Sequence, residues 1–181
     1  MPSSRKSRIA AAQIRYIAVS HYHFDHIGQA AAFDSATLLI GAEDLAAVRK
    51  GDRLPDNSTD SATQLAPWVS GGKPVEGLSG DKDVFGDGSV MILRLPGHTP
   101  GHQALLVRLP RRGNILLTGD LYHFPENRTN RNVPKFNTDR ADTLASMDRF
   151  EGLARSQRAT VIIQHELADV AKLPRFPLPA Q

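Results

Sequence analysis

Residues 20–28, SHYHFDHIG, set three histidines and an aspartate within six positions, directly behind the apolar run Ile17-Ala18-Val19. In an extended segment residues i and i+2 point to the same side. His21 and His23 therefore grip one point from the exit of a strand. Asp25 and His26 follow a change of direction and aim at a second point nearby, and Gly28 permits the tight start of a small-residue helix over 29–32. Imidazole and carboxylate are donors suited to zinc and its neighbours. Four ionisable residues so close behind an apolar strand do not serve packing, because buried polar groups need partners.

The other histidines repeat the placement. Ile14–Ser20 reads as the strand before His21. His98 and His102 follow a strand over Ser89–Leu95, His123 follows one over Asn114–Thr118 with Asp120 between, and His165 follows one over Ala159–Gln164. In sheet-containing α/β folds ligand sites gather just beyond the carboxyl ends of strands. Further strands are expected at Thr37–Ile40 and Gln103–Leu109, the latter forming a hairpin with Asn114–Thr118 across Arg-Arg-Gly. Helices are expected at Ala42–Lys50 and over 140–156, where Leu144, Met147, Phe150 and Leu153 recur at three-residue steps behind a Thr138 or Asp139 cap. Residues 51–82, rich in Gly, Pro, Asp and Ser, read as a long surface connection with one helical turn near Ala62–Trp68. Residues 122–138 read as a second polar loop, and the tail with Pro174, Pro177 and Pro179 as an irregular strap. No internal repeat or domain-scale linker divides the 181 residues, so a single domain over 1–181 is expected.

Composition narrows the function classes. Hydrophobic residues make up 40% and charged residues 23%, the balance of a globular protein. With no cysteine, a disulfide framework, a Cys-type zinc site and a Cys nucleophile are excluded. The net charge of +3 is dispersed outside Arg5, Lys6, Arg8 and the pair Arg111-Arg112, so no nucleic-acid footprint is expected. No apolar run approaches the ~20 residues of a membrane span. Residues 9–12 are too short for a signal-peptide core, and a cytoplasmic location is expected. The residues fix no oligomeric state.

HYHFDH resembles the His-x-His-x-Asp-His signature of the metallo-β-lactamase superfamily. LPGHTPGH (95–102), LLTGD (116–120) and VIIQHE (161–166) resemble that family's later stations, in order. The wording is most similar to the N-acyl homoserine lactonase-like branch, in Phe24, in Gln103 after the PGHTPGH segment, and in GDLYHFPENR. The resemblance implies an α/β fold, the αββα sandwich, and two zinc ions or other divalent metals. His21, His23 and His98 would hold the first, Asp25, His26 and His165 the second, and Asp120 would bridge them. His102 would orient a ligand from behind. Members usually carry about a hundred residues ahead of the His-x-His segment; only Met1–Gln13 precede the strand here. A truncated N-terminal half-sheet is therefore expected.

The implied reaction is hydrolysis of a lactone, an N-acyl homoserine lactone being favoured, by a metal-bridging hydroxide. Asp25 would shuttle the proton, and Tyr122 or His123 would help hold the oxyanion. Lactonases of the branch place a tyrosine three residues after the bridging aspartate, where this chain has His123 and its tyrosine one residue early. Another hydrolase of the superfamily (a glyoxalase-II-like thioesterase, a β-lactamase or an esterase) and a truncated non-catalytic chain stay open as alternatives. The basic C-terminal extension of such thioesterases has no counterpart after His165.

Overall fold

The computed structural model describes residues 9–51, 60–175 and 178–180. Two sheets lie face to face between helices. The first is parallel and three-stranded: β1 (Tyr16–Ala18), β2 (Thr37–Gly41) and β3 (Val75–Leu78), in that order. The second has five strands in sequence order: β4 (Lys82–Asp83), β5 (Val90–Arg94), β6 (Gln103–Leu109), β7 (Gly113–Leu117) and β8 (Thr160–Ile162). Its pairings are antiparallel except β7 with β8. Between the strands stand the one-turn α1 (Phe24–Ile27), then α2 (Ala42–Lys50), α3 (Asp60–Val69), α4 (Pro125–Asn130) and α5 (Arg140–Ser156), and α6 (Leu167–Val170) follows β8.

Side-chain alternation explains the layering. Leu38 and Ile40 of β2 turn outward to pack with Leu45, Val48, Leu65 and Trp68 of α2 and α3. Leu39, between them, turns inward to Leu78 and Ile92, which join the two sheets. On the far side Leu93, Leu106, Leu116 and Val161 meet Met147, Phe150 and Ala154 of α5. This is the αββα sandwich. Each fully buried large apolar side chain, Phe150 among them, contributes about 1.5–3 kcal/mol. Of the two caps the sequence offers, Thr138 and Asp139, it is Asp139 that caps α5, accepting the N–H of Asp142 at 2.8 Å.

Several segments differ from the sequence reading. The connection over 51–82 is not all surface: it holds α3 and β3, which complete the outer layer and the edge of the first sheet. Buried Leu65 and Trp68 anchor α3, and the Trp68 indole N–H donates to Ala36 O at 2.9 Å. Residues 52–59 of that connection lie outside the described residues. The loop over 122–138 contains α4, begun by Pro125. β1 pairs with β2 only over Tyr16–Ala18, because Ser20 has already crossed to the second sheet, where its carbonyl accepts the N–H of Gln103 at 2.8 Å. After α6 the described residues carry no helix or strand; Pro177 lies outside them. No helix among the described residues is long and apolar enough to cross a membrane.

Candidate metal centre

The ligand-bearing loops meet where β1, β5, β7 and β8 end. His21 Nε2 stands 2.9 Å from His23 Nδ1 and 3.2 Å from His98 Nε2, and His23 Nδ1 stands 3.0 Å from His98 Nε2. Asp120 Oδ2 closes the group, 3.3 Å from His98 Nε2 and 3.8 Å from His21 Nε2. Four donors about 2.0–2.1 Å from a zinc-like ion in a tetrahedron lie about 3.3 Å apart, so these spacings fit one ion. Beside them Asp25, His26 and His165 form a second group, with His26 Nε2 3.3 Å from His165 Nε2 and Asp25 Oδ2 3.6 and 3.7 Å from the two. Asp120 Oδ1 faces that group, 2.9 Å from His26 Nε2 and 3.1 Å from His165 Nε2. All seven ligand candidates read from the sequence thus converge, with Asp120 between the two groups.

The imidazoles are set up as donors. His98 Nδ1–H donates to Asn137 Oδ1 at 3.0 Å, and the Asn137 amide is fixed in turn by donating to Thr143 Oγ1 at 3.1 Å. This leaves the His98 Nε2 lone pair facing the cluster, the arrangement a metal requires. Burial, then the neighbouring His102, pushes His98 down to about 3, so it is neutral at physiological pH. Burial, with His26, His102 and His98 around it, likewise lowers His21. Burial opposes the charge on Asp120, but hydrogen bonds from His123 and His26 outweigh it and hold the carboxylate well below its usual range. The buried, neutral His21 and His98 beside a firmly ionised Asp120 suit a cation, whereas burial opposes a charge on His26 but is outweighed by its bond to Asp120, which raises it.

Behind the cluster, His102 Nδ1–H donates to Leu95 O at 2.8 Å, so Nε2 accepts, and it takes the backbone N–H of Asp120 at 2.9 Å. Gly119 makes room for this contact: its φ is +55°, and a Cβ there would meet His102 Nε2 at 2.5 Å. The two alternatives for the oxyanion role, Tyr122 and His123, part company. His123 faces the cluster, its Nε2 3.1 Å from Asp120 Oδ2 and its ring stacked on His165. Tyr122 turns into the core, buried against Phe150, with its hydroxyl donating to Glu151 Oε1 at 3.2 Å. Burial and Glu151 push its phenol up. The phase of the turn after β7 therefore sends His123, not Tyr122, to the site.

Above the donor atoms opens a cavity of about 310 Å³, walled by the exposed rings of Phe24 and Phe136. Residues 3–165 match the model of the metallo-beta-lactamase superfamily. The chain belongs to that superfamily. Among curated relatives, N-acyl homoserine lactonase AttM of Rhizobium radiobacter is 30% identical over 172 residues, covering 91% of this chain and 64% of that protein. An N-acyl homoserine lactonase from a Bacillus species is 28% identical over 162 residues, covering 90% and 60%. The chain thus spans less than two thirds of the length of these relatives. A solved N-acyl homoserine lactone hydrolase with N-hexanoyl-L-homoserine at its catalytic metal center superposes with a TM-score of 0.75 at 24% identity, covering 93% of this chain and 62% of that one. At that identity the likeness speaks for the fold, and the αββα layering agrees with it.

Proposed function

We propose that this chain carries the reaction centre of a metal-dependent lactonase, holding two divalent ions, zinc the favoured pair, and acting on a small lactone, an N-acyl homoserine lactone first. The observation that carries the reading is the arrangement of six donor groups in two sets of three about Asp120, on the floor of a cavity walled by two aromatic rings. His21, His23 and His98 would hold one ion, Asp25, His26 and His165 the other, with Asp120 shared. The metal supplies Lewis acidity and makes water acidic enough to attack at neutral pH.

The chain's own groups do the rest. Phe24 and Phe136 offer an apolar wall to an acyl chain. His123, at the wall beside Asp120, orients the lactone carbonyl. The water oxygen bonds to the acyl carbon, the ring C–O bond breaks, and the departing alkoxide takes a proton. Asp25, the most exposed of the carboxylates here, carries that proton between water and alkoxide. The product is a hydroxy acid. Similarity to the lactonases supports the substrate class.

The test is a pH-stat assay of the Zn²⁺-loaded chain on N-hexanoyl-L-homoserine lactone, a thioester and a β-lactam, beside a metal count. About two ions per chain and preferential lactone opening, abolished by chelator, are expected. Faster thioester or β-lactam cleavage would overturn the substrate reading, and chelator-resistant turnover the metal reading.

A further inference from the structure

Asp44 lies in the first turn of α2, on an element that supplies no donor to the metal centre, and it is fully buried. Its carboxylate is the meeting point of two loops. Oδ2 accepts the Thr99 hydroxyl at 2.7 Å, and Oδ1 accepts the Gly101 backbone N–H at 2.7 Å. The backbone N–H of Tyr22 donates to it as well. Tyr22 sits between His21 and His23; Thr99 and Gly101 sit between His98 and His102. The packing leaves no slack: a Cβ on Gly101 would meet the Asp44 nitrogen at 2.7 Å, and one on Gly41 would strike the Gly101 carbonyl.

We propose that Asp44 is the positioning residue of the metal centre, tying the His21–His23 loop to the His98 loop so that their three imidazoles converge. A buried carboxylate is costly unless its oxygens are satisfied. Among the described residues, its three hydrogen-bond donors, Thr99, Gly101 and Tyr22, all come from ligand-bearing loops, and Glu43 lies beside it as a neighbouring charge. Without the tie each loop is free to shift, and a donor set must be held within about 0.5 Å to bind well. The inference rests on the metal reading above.

The experiment is competitive titration of the full chain with Zn²⁺ against a chromophoric chelator, with the unfolding midpoint of each metal-free protein measured in parallel. Asp44→Asn keeps the shape but replaces one acceptor with an NH₂ group, and Thr99→Val deletes the hydroxyl at constant volume. Both are expected to weaken Zn²⁺ binding tenfold or more while the metal-free chain stays folded. Thr99→Ser, which keeps the donor, is expected to bind within about twofold of the unaltered chain. If Asp44→Asn does not fold, Thr99→Val against Thr99→Ser decides the matter. Lowered unfolding midpoints with unchanged Zn²⁺ affinity in the folded variants would overturn the proposal and leave the metal site standing. Failure of the unaltered chain to bind Zn²⁺ would overturn the metal reading, and the tie with it.

Discussion

The Nε2 atom of His102 accepts the backbone N–H of Asp120 at 2.9 Å, and both residues are buried. The bond fixes the turn after β7, and with it the carboxylate that faces both histidine groups. His102→Ala would leave the Asp120 N–H without a partner and open a cavity. The expected cost is about 2–4 kcal/mol. Urea unfolding of the metal-free protein measures it, and a loss below about 0.5 kcal/mol would show that the turn holds itself.

Gly119 is the second constraint on that turn. Its φ of +55° is a conformation that L side chains resist, and a Cβ would press on both His102 Nε2 and, at 2.9 Å, the Gln103 carbonyl. Gly119→Ala is expected to destabilise by more than 1 kcal/mol from the backbone alone. It should also lower Zn²⁺ occupancy by displacing Asp120. Metal content after gel filtration reports the second effect, and full occupancy would detach Gly119 from the site.

Much of the site was legible because its donors are local: HYHFDH packs four into six positions, and the remaining three follow strands whose apolar runs are easy to read. Their supports are not local. Asp44 reads as an ordinary acidic residue in the first turn of a helix, and Asn137 as one polar residue in a polar loop. Only the fold brings them to Thr99 and His98, across 55 and 39 positions. β3 escaped because Val75–Leu78 buries a single side chain, Leu78, and carries Glu76 and Gly77. α3 was legible only as one turn near Ala62–Trp68, not as the full Asp60–Val69, because Pro67 falls inside it, where a proline argues against a longer helix. The order of Tyr122 and His123 could not be read from the sequence: adjacent residues leaving a strand face opposite ways, and nothing local says which faces inward.

That last point separates two variants. Tyr122→Phe removes a buried hydroxyl bonded to Glu151 and is expected to cost about 1 kcal/mol of stability with lactone turnover within about twofold. His123→Phe replaces the imidazole that bonds Asp120 with an apolar ring, and turnover is expected to fall at least tenfold with little change in the unfolding midpoint. Steady-state kinetics and urea unfolding of both proteins check the pair. A larger catalytic loss in Tyr122→Phe would mean that the phenol reaches the substrate after all.

Glu151 gives a pH dependence of defined sign. Arg128 donates to it twice, from Nε at 2.8 Å and Nη2 at 3.0 Å, and Tyr122 adds a third bond. The Arg128 hydrogen bonds outweigh partial burial and hold the carboxyl below its ordinary value in the folded state. On acidification the unfolded chain therefore takes up this proton first. The stabilisation is complete above the ordinary glutamate pKa of about 4.3 and is lost as pH falls through the lower folded value. Because the pair is partly exposed, about 1 kcal/mol is expected rather than the value of a buried bidentate pair. Glu151→Gln should thus unfold at lower urea than the unaltered chain at pH 7, with the gap closing toward pH 3. A gap of constant size across that range would assign the loss to packing, not to the charge held by Arg128.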